Sequence, residues 1–159
     1  MKYPNLEKLV DIIAVLRSEN GCEWDREQTH KSLRPNMLEE AYEAVDAIDE
    51  GDISNLREEL GDVLLQVVLH AQIAKDDGEF DIEDVAKELS DKLIHRHPHV
   101  FGNTEVHSTQ EILDNWDKLK KEEKTYRKSV LDGISKSQSA LMSAQKISKK
   151  VVKVGFEWD

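Results

Sequence analysis

The chain lacks most of what would mark a secreted, membrane-spanning or nucleic-acid-binding protein. Cys22 is its only cysteine, so no disulfide can form within it and a reducing compartment is the simplest setting. The opening MKYPNLEKLV has no apolar core of the signal-peptide kind, and no apolar run approaches the roughly 18 residues of a membrane span. Secretion and membrane insertion are therefore unsupported, and a cytoplasmic location is expected. Basic residues are scarce too. With 22 Lys and Arg against 33 Asp and Glu, the formal charge is −11, which argues against nucleic acid or an anionic membrane as partner, since both require a basic face. Nor does any segment alternate apolar and polar residues with strand-type side chains, so the expected fold class is all-α.

What is present is helical periodicity, over 159 residues that suit one domain with a real core. Leu6, Leu9, Val10, Ile13 and Leu16 behind Asn5 predict a first helix to about Glu19. NGCEWDREQTHKSLR then reads as a loop with a short helical turn. Pro35 suits a first helical position, and Leu38, Ala41, Tyr42, Val45 and Ile48 form a stripe ending near Gly51. Ser54 is placed to cap the next helix, which runs to about Lys75 before DDGEF. Asp81 with Asp84 opens a fourth helix to about Arg96, stopped by Pro98. STQE, Ser108 to Glu111, is a capping box for a fifth through Tyr126, and a sixth spans about Ser137 to Val154. The expectation is a bundle of five to six helices.

Between Glu39 and Asp62 the chain carries ten carboxylates and a single basic residue, Arg57. On a helical wheel Glu59, Asp62, Gln66 and His70 share one narrow stripe of a helix that is otherwise apolar almost all round. Such a helix is expected to be buried, with its polar stripe facing something other than bulk water. Glu40 and Glu43, three apart on the preceding helix, could lie opposite Glu59 and Asp62 if the two helices pair antiparallel. Four carboxylates without nitrogen or sulfur suit Mg²⁺ or Mn²⁺. The rival reading is a solvated acidic face. Two other metal readings are weak. His95, His97 and His99 alternate, but Pro98 interrupts them and no cysteine is near, and of the Glu-x-x-His pairs a di-iron bundle needs, only Glu27 to His30 is present.

EEAYE followed by EELGD resembles the E-E-x-x-E … E-x-x-D signature of MazG-type nucleoside triphosphate pyrophosphohydrolases, in the all-α NTP pyrophosphatase superfamily. GCEWDREQTHKSL, DKLIHRHPHVFG and SALMSAQKISKKVVKVGFEWD extend that resemblance over nearly the whole chain. The resemblance implies Mg²⁺ held by Glu40, Glu43, Glu59 and Asp62, with Lys92 and Arg96 on the phosphates. It also implies Trp116 and Trp24 near the nucleotide, and Lys120 within reach of the phosphates. The implied reaction is hydrolysis of an NTP or dNTP at the α-phosphorus to the monophosphate and pyrophosphate, with Glu39 a candidate proton acceptor. The alternative is a nucleotide-binding or regulatory module that keeps the fold without turnover. A homodimer or dimer of dimers is expected, because the acidic helix is apolar on more faces than two neighbours can cover. The expected domain is 1–136, with 137–159 forming a final helix and the start of a linker. GFEWD at 155–159 echoes GCEWD at 21–25, as though a second copy of the domain began there.

Overall fold

In a computed structural model that describes residues 3–126 and 128–156, every regular element among the described residues is helical. Eight helices form there rather than five or six: α1 Pro4–Arg17, α2 Glu23–Glu27, α3 Arg34–Glu50, α4 Ile53–Asp76, α5 Ile82–Arg96, α6 Pro98–Phe101, α7 Thr109–Glu122 and α8 Ala140–Val152. The surplus comes from two short helices, α2 and α6. Pro98 ends α5 as expected, yet its fixed φ also suits it to begin the single turn of α6. The chain divides into two compact units, Met1–Asp91 and Lys92–Asp159, and α5 starts in the first and ends in the second.

The first unit is organised by α4. Its buried cluster joins Ile13 of α1, Leu33 before α3, and Val68, Leu69 and Ile73 of α4, with Leu9, Val10, Leu16, Leu65 and Ile82 packed around it. On α3, Ala44 and Ala47 are buried. Side chains this small allow the backbones of α3 and α4 to approach closely. The turn between these helices is built by two adjacent residues. Gly51 takes the left-handed conformation at φ 71°, and Asp52 N–H reaches back to Ala47 O at 3.1 Å. Asp52 then caps α4 by accepting from the Ser54 and Asn55 amides, both at 3.0 Å, so the cap is Asp52 and not Ser54. At the start of α1 the N-cap is likewise Tyr3, whose side chain makes no capping bond, rather than Asn5, because Pro4 already sets the first turn.

Burial along α4 is uneven. Gln66, Val68, Leu69, Ala71, Ile73 and Ala74 are buried, while Ile53, Leu60 and Leu64 nearer its start are exposed. The all-round apolar character therefore marks a buried helix only over its second half. In the second unit, Ser108 caps α7 by accepting from Glu111 N at 3.2 Å, and the Glu111 carboxylate in turn accepts from His107 N at 2.9 Å. That helix ends at Glu122, short of Tyr126, and α8 is capped by Ser139 rather than starting at Ser137. Within this unit Lys153 pairs with Asp117, and Lys150 donates to the carbonyls of Val130 and Asp132. Of the GFEWD echo, residues 157–159 lie outside the described residues.

Candidate metal centre

The acidic site grows directly from the α3–α4 turn. Three- and four-residue spacing puts Glu40 and Glu43 on one face of α3 and Glu59 and Asp62 on one face of α4, and the Gly51–Asp52 turn folds the two helices back on each other. Carboxylate oxygens of Glu40, Glu43 and Glu59 lie within 4.8 Å of one another. Asp62 is near enough to act electrostatically on both Glu40 and Glu59.

Two of these carboxyls have raised pKa values. Partial desolvation, followed by the charges of Asp62, Glu43 and Glu39, pushes Glu40 above the usual carboxylate value. Partial desolvation and then Glu43, Asp62, Glu58 and Glu40 do the same to Glu59. No basic side chain is among the groups acting on either carboxyl. Like charges this close repel, and a bound cation or a proton relieves that repulsion. The donor set is oxygen only, flexible and highly charged, which fits a hard divalent ion such as Mg²⁺ or Mn²⁺ and suits softer metals poorly. Glu39, the candidate proton acceptor, is exposed beside Glu40 and takes part in that repulsion.

The cations predicted from sequence gather within the second unit. Arg96 is buried, at 8% exposure, and grips Glu123 with two nitrogens: Nε lies 3.0 Å from Oε1 and 3.2 Å from Oε2, and Nη2 closes a second contact to Oε2. Its guanidinium also lies over the Trp116 ring, 5.5 Å from the centroid, and the His97 ring meets Trp116 edge-on at 4.8 Å. The hydrogen bond from Arg96, then the charges of Arg96, His95 and Lys92, hold Glu123 below the usual carboxylate range. Lys92, Arg96 and Trp116 are thus brought together around a residue that sequence reasoning missed. Its signal was available, since Glu123 follows Trp116 by seven residues and so lies two turns along the same face of the chain's helical path. Lys120 is exposed on α7, and Trp24 is exposed on α2 in the first unit.

Residues 28–101 match the family described as MazG nucleotide pyrophosphohydrolase domain. The chain is 50% identical over 153 residues to the nucleoside triphosphate pyrophosphohydrolase/pyrophosphatase MazG of Thermotoga maritima, covering 96% of itself and 58% of that relative. It is 47% identical over 156 residues to the nucleoside triphosphate pyrophosphohydrolase of Escherichia coli K12, covering 96% of itself and 59% of that protein. The chain therefore spans a little under three fifths of the length of these curated relatives. Among solved structures it is similar to a mazG-related protein from Thermotoga maritima, with a TM-score of 0.61 and 31% identity, over 72% of this chain and 98% of that one.

Proposed function

The chain belongs to the MazG nucleotide pyrophosphohydrolase family, and on that premise we propose that it hydrolyses nucleoside triphosphates, ribo or deoxy, at the α-phosphorus. The products are the nucleoside monophosphate and pyrophosphate. The observation that carries this reading is the converged, mutually repelling set of Glu40, Glu43 and Glu59 with Asp62 beside it, a site that needs a cation. Those four residues hold Mg²⁺, with Mn²⁺ as a substitute. When bound, the ion offsets the negative charge on the substrate's phosphate oxygens.

The chain's own groups do the rest. A water oxygen attacks the α-phosphorus, the bond to the bridging oxygen of the leaving pyrophosphate breaks, and Glu39 accepts the water's proton. Lys92, Arg96 and Lys120 neutralise the departing phosphates. Arg96 is suited to this because its planar fork already donates to a carboxylate in two-pronged fashion, and phosphate offers the same geometry. Trp116 and Trp24 offer ring faces to the base or ribose.

We place the enzyme in the cytoplasm, supported by its lone, unpaired Cys22 and by the lack, among the described residues, of any helix long and apolar enough to cross a membrane. A homodimer or dimer of dimers is part of the same reading. Its support is the exposed apolar row Leu38, Tyr42, Val45 and Ile48 on α3, together with Ile53, Leu60 and Leu64 on α4. The direct test is Mg²⁺-dependent release of pyrophosphate from a mixed panel of NTPs and dNTPs, with monophosphate formed in equal amount. Nucleotide binding without release would overturn the catalytic reading in favour of a non-catalytic module.

A further inference from the structure

At the far end of the α4 polar stripe, His70 meets His30, which lies on the connection from α2 to α3. The two Nδ1 atoms are 2.7 Å apart, the rings are within 7° of parallel, and their centroids are 5.0 Å apart. Nitrogens so much closer than the centroids place the rings edge to edge, with one Nδ1 donating to the other. We infer that the His30–His70 pair is a pH-sensitive latch: it pins the connection between α2 and α3 to α4 and lets it go when both imidazoles are protonated.

The proton count follows from imidazole chemistry. The contact needs one Nδ1–H and one Nδ1 lone pair, so it forms when both rings are neutral and also when one is cationic. A second proton points two N–H groups at each other and brings two like charges together, and the bond is lost. Burial, then His30, already hold His70 below its ordinary value of 6.5. Its folded form therefore favours the neutral state, and the stabilisation that this provides is lost as pH falls below that value. Beyond burial, only His30 acts on His70, and no charged residue of α1, α2, α3, α4 or the connection, Arg17, Glu27, Lys31, Arg34 and Asp76 included, is among the groups that shift it.

The segment has few other anchors, which gives the latch leverage. Leu33 is buried in the core, and the Arg17 guanidinium donates to the Gln28 and Asp25 carbonyls while pairing with Asp76 at 2.8 Å. A guanidinium is a permanent charge in proteins. The other bonds of the connection run within it, between Thr29 and Ser32 and from Ser32 to Gln28, or to the adjoining helices, from Gln28 Nε2 to Trp24 O of α2 and from Met37 N of α3 to Leu33 O, and none of them reaches α4. His30–His70 is therefore the anchor whose state changes as the solution turns mildly acidic.

Amide hydrogen exchange on the intact chain tests this, read at Thr29, Ser32 and Leu33 and corrected for the intrinsic effect of pH. Between about pH 7.5 and about pH 5, protection at these amides should fall about tenfold or more, while the core of α4 stays protected. Imidazole ¹⁵N shifts recorded over the same range should place that loss at the second histidine proton. The variants His30→Gln and His70→Gln should remove the pH dependence. Protection that does not change with pH, a loss that tracks only the first proton, or the same loss in the glutamine variants would overturn the latch.

Discussion

Glu59 and Asp62 show how two properties can be read from one side chain. As metal ligands, Glu59→Gln and Asp62→Asn should each reduce pyrophosphate release by about a hundredfold or more while the far-ultraviolet circular dichroism stays helical. Substantial residual turnover with ordinary metal dependence would remove them from the site. As a crowded carboxylate, Glu59 has a folded-state pKa above its ordinary value of 4.5, so its ionised form disfavours folding and that penalty is relieved as pH falls through the raised pKa. Without divalent cation, Glu59→Gln should therefore melt higher than the parent near neutral pH, and the gap should narrow on acidification. Adding the cation should reverse the order, because only the parent retains the full ligand set. Calorimetric scans with and without cation decide it. Arg96 is the residue whose geometry matters more than its charge. Arg96→Lys keeps the charge and loses the two-pronged grip on Glu123, and should cost about 2 kcal/mol in urea unfolding. An unchanged midpoint would mean that the pair is not an anchor.

At the scale of elements, two turns position everything that follows. Gly21 closes the passage from α1 to α2, and a Cβ there would lie 2.2 Å from Leu16 O and 2.3 Å from Val15 O. Neither neighbour is a flexible side-chain end, so Gly21→Ala must displace backbone and should destabilise by on the order of 2 kcal/mol. Asp52 is the second. Removing its two amide bonds in Asp52→Ala should cost about 1 kcal/mol and loosen the register between Glu43 and Glu59. Thermal unfolding together with divalent-cation titration measures both effects, and an Asp52→Ala chain that binds the cation as tightly as the parent would separate the cap from the site. The sequence pointed to a cap near this place and named Ser54, one position inside the helix. A serine and an aspartate two residues apart both satisfy the pattern, and only the path of the chain through Gly51 selects Asp52.

For the molecule as a whole, the unmet demand is the apolar surface of α3 and α4. Tyr42 and Ile48 are 59% and 58% exposed and Leu60 is 54% exposed, which is unusual for side chains that recur at helical spacing. Sedimentation velocity at micromolar concentration should show a dimer or a dimer of dimers, and Ile48→Asp combined with Leu60→Asp should shift it towards monomer. A parent chain that sediments as a monomer would overturn the assembly.

The helical class, the positions of the principal helices within a few residues, and the oxygen-only character of the acidic cluster are all written locally in the chain. These follow from local rules, namely the 3.6-residue period, caps, breakers and the i, i+3 spacing of acids, which need no knowledge of distant contacts. The tertiary structure decided what depends on long-range juxtaposition. It decided that Glu40, Glu43 and Glu59 converge, that Arg96 is paired with Glu123 over the Trp116 ring, and that His30 meets His70 across 40 positions of sequence. It also decided that α4 is buried over only half its length. An apolar residue is written the same way whether it faces its own core or a partner, and which of the two it meets is settled only when the chain has folded.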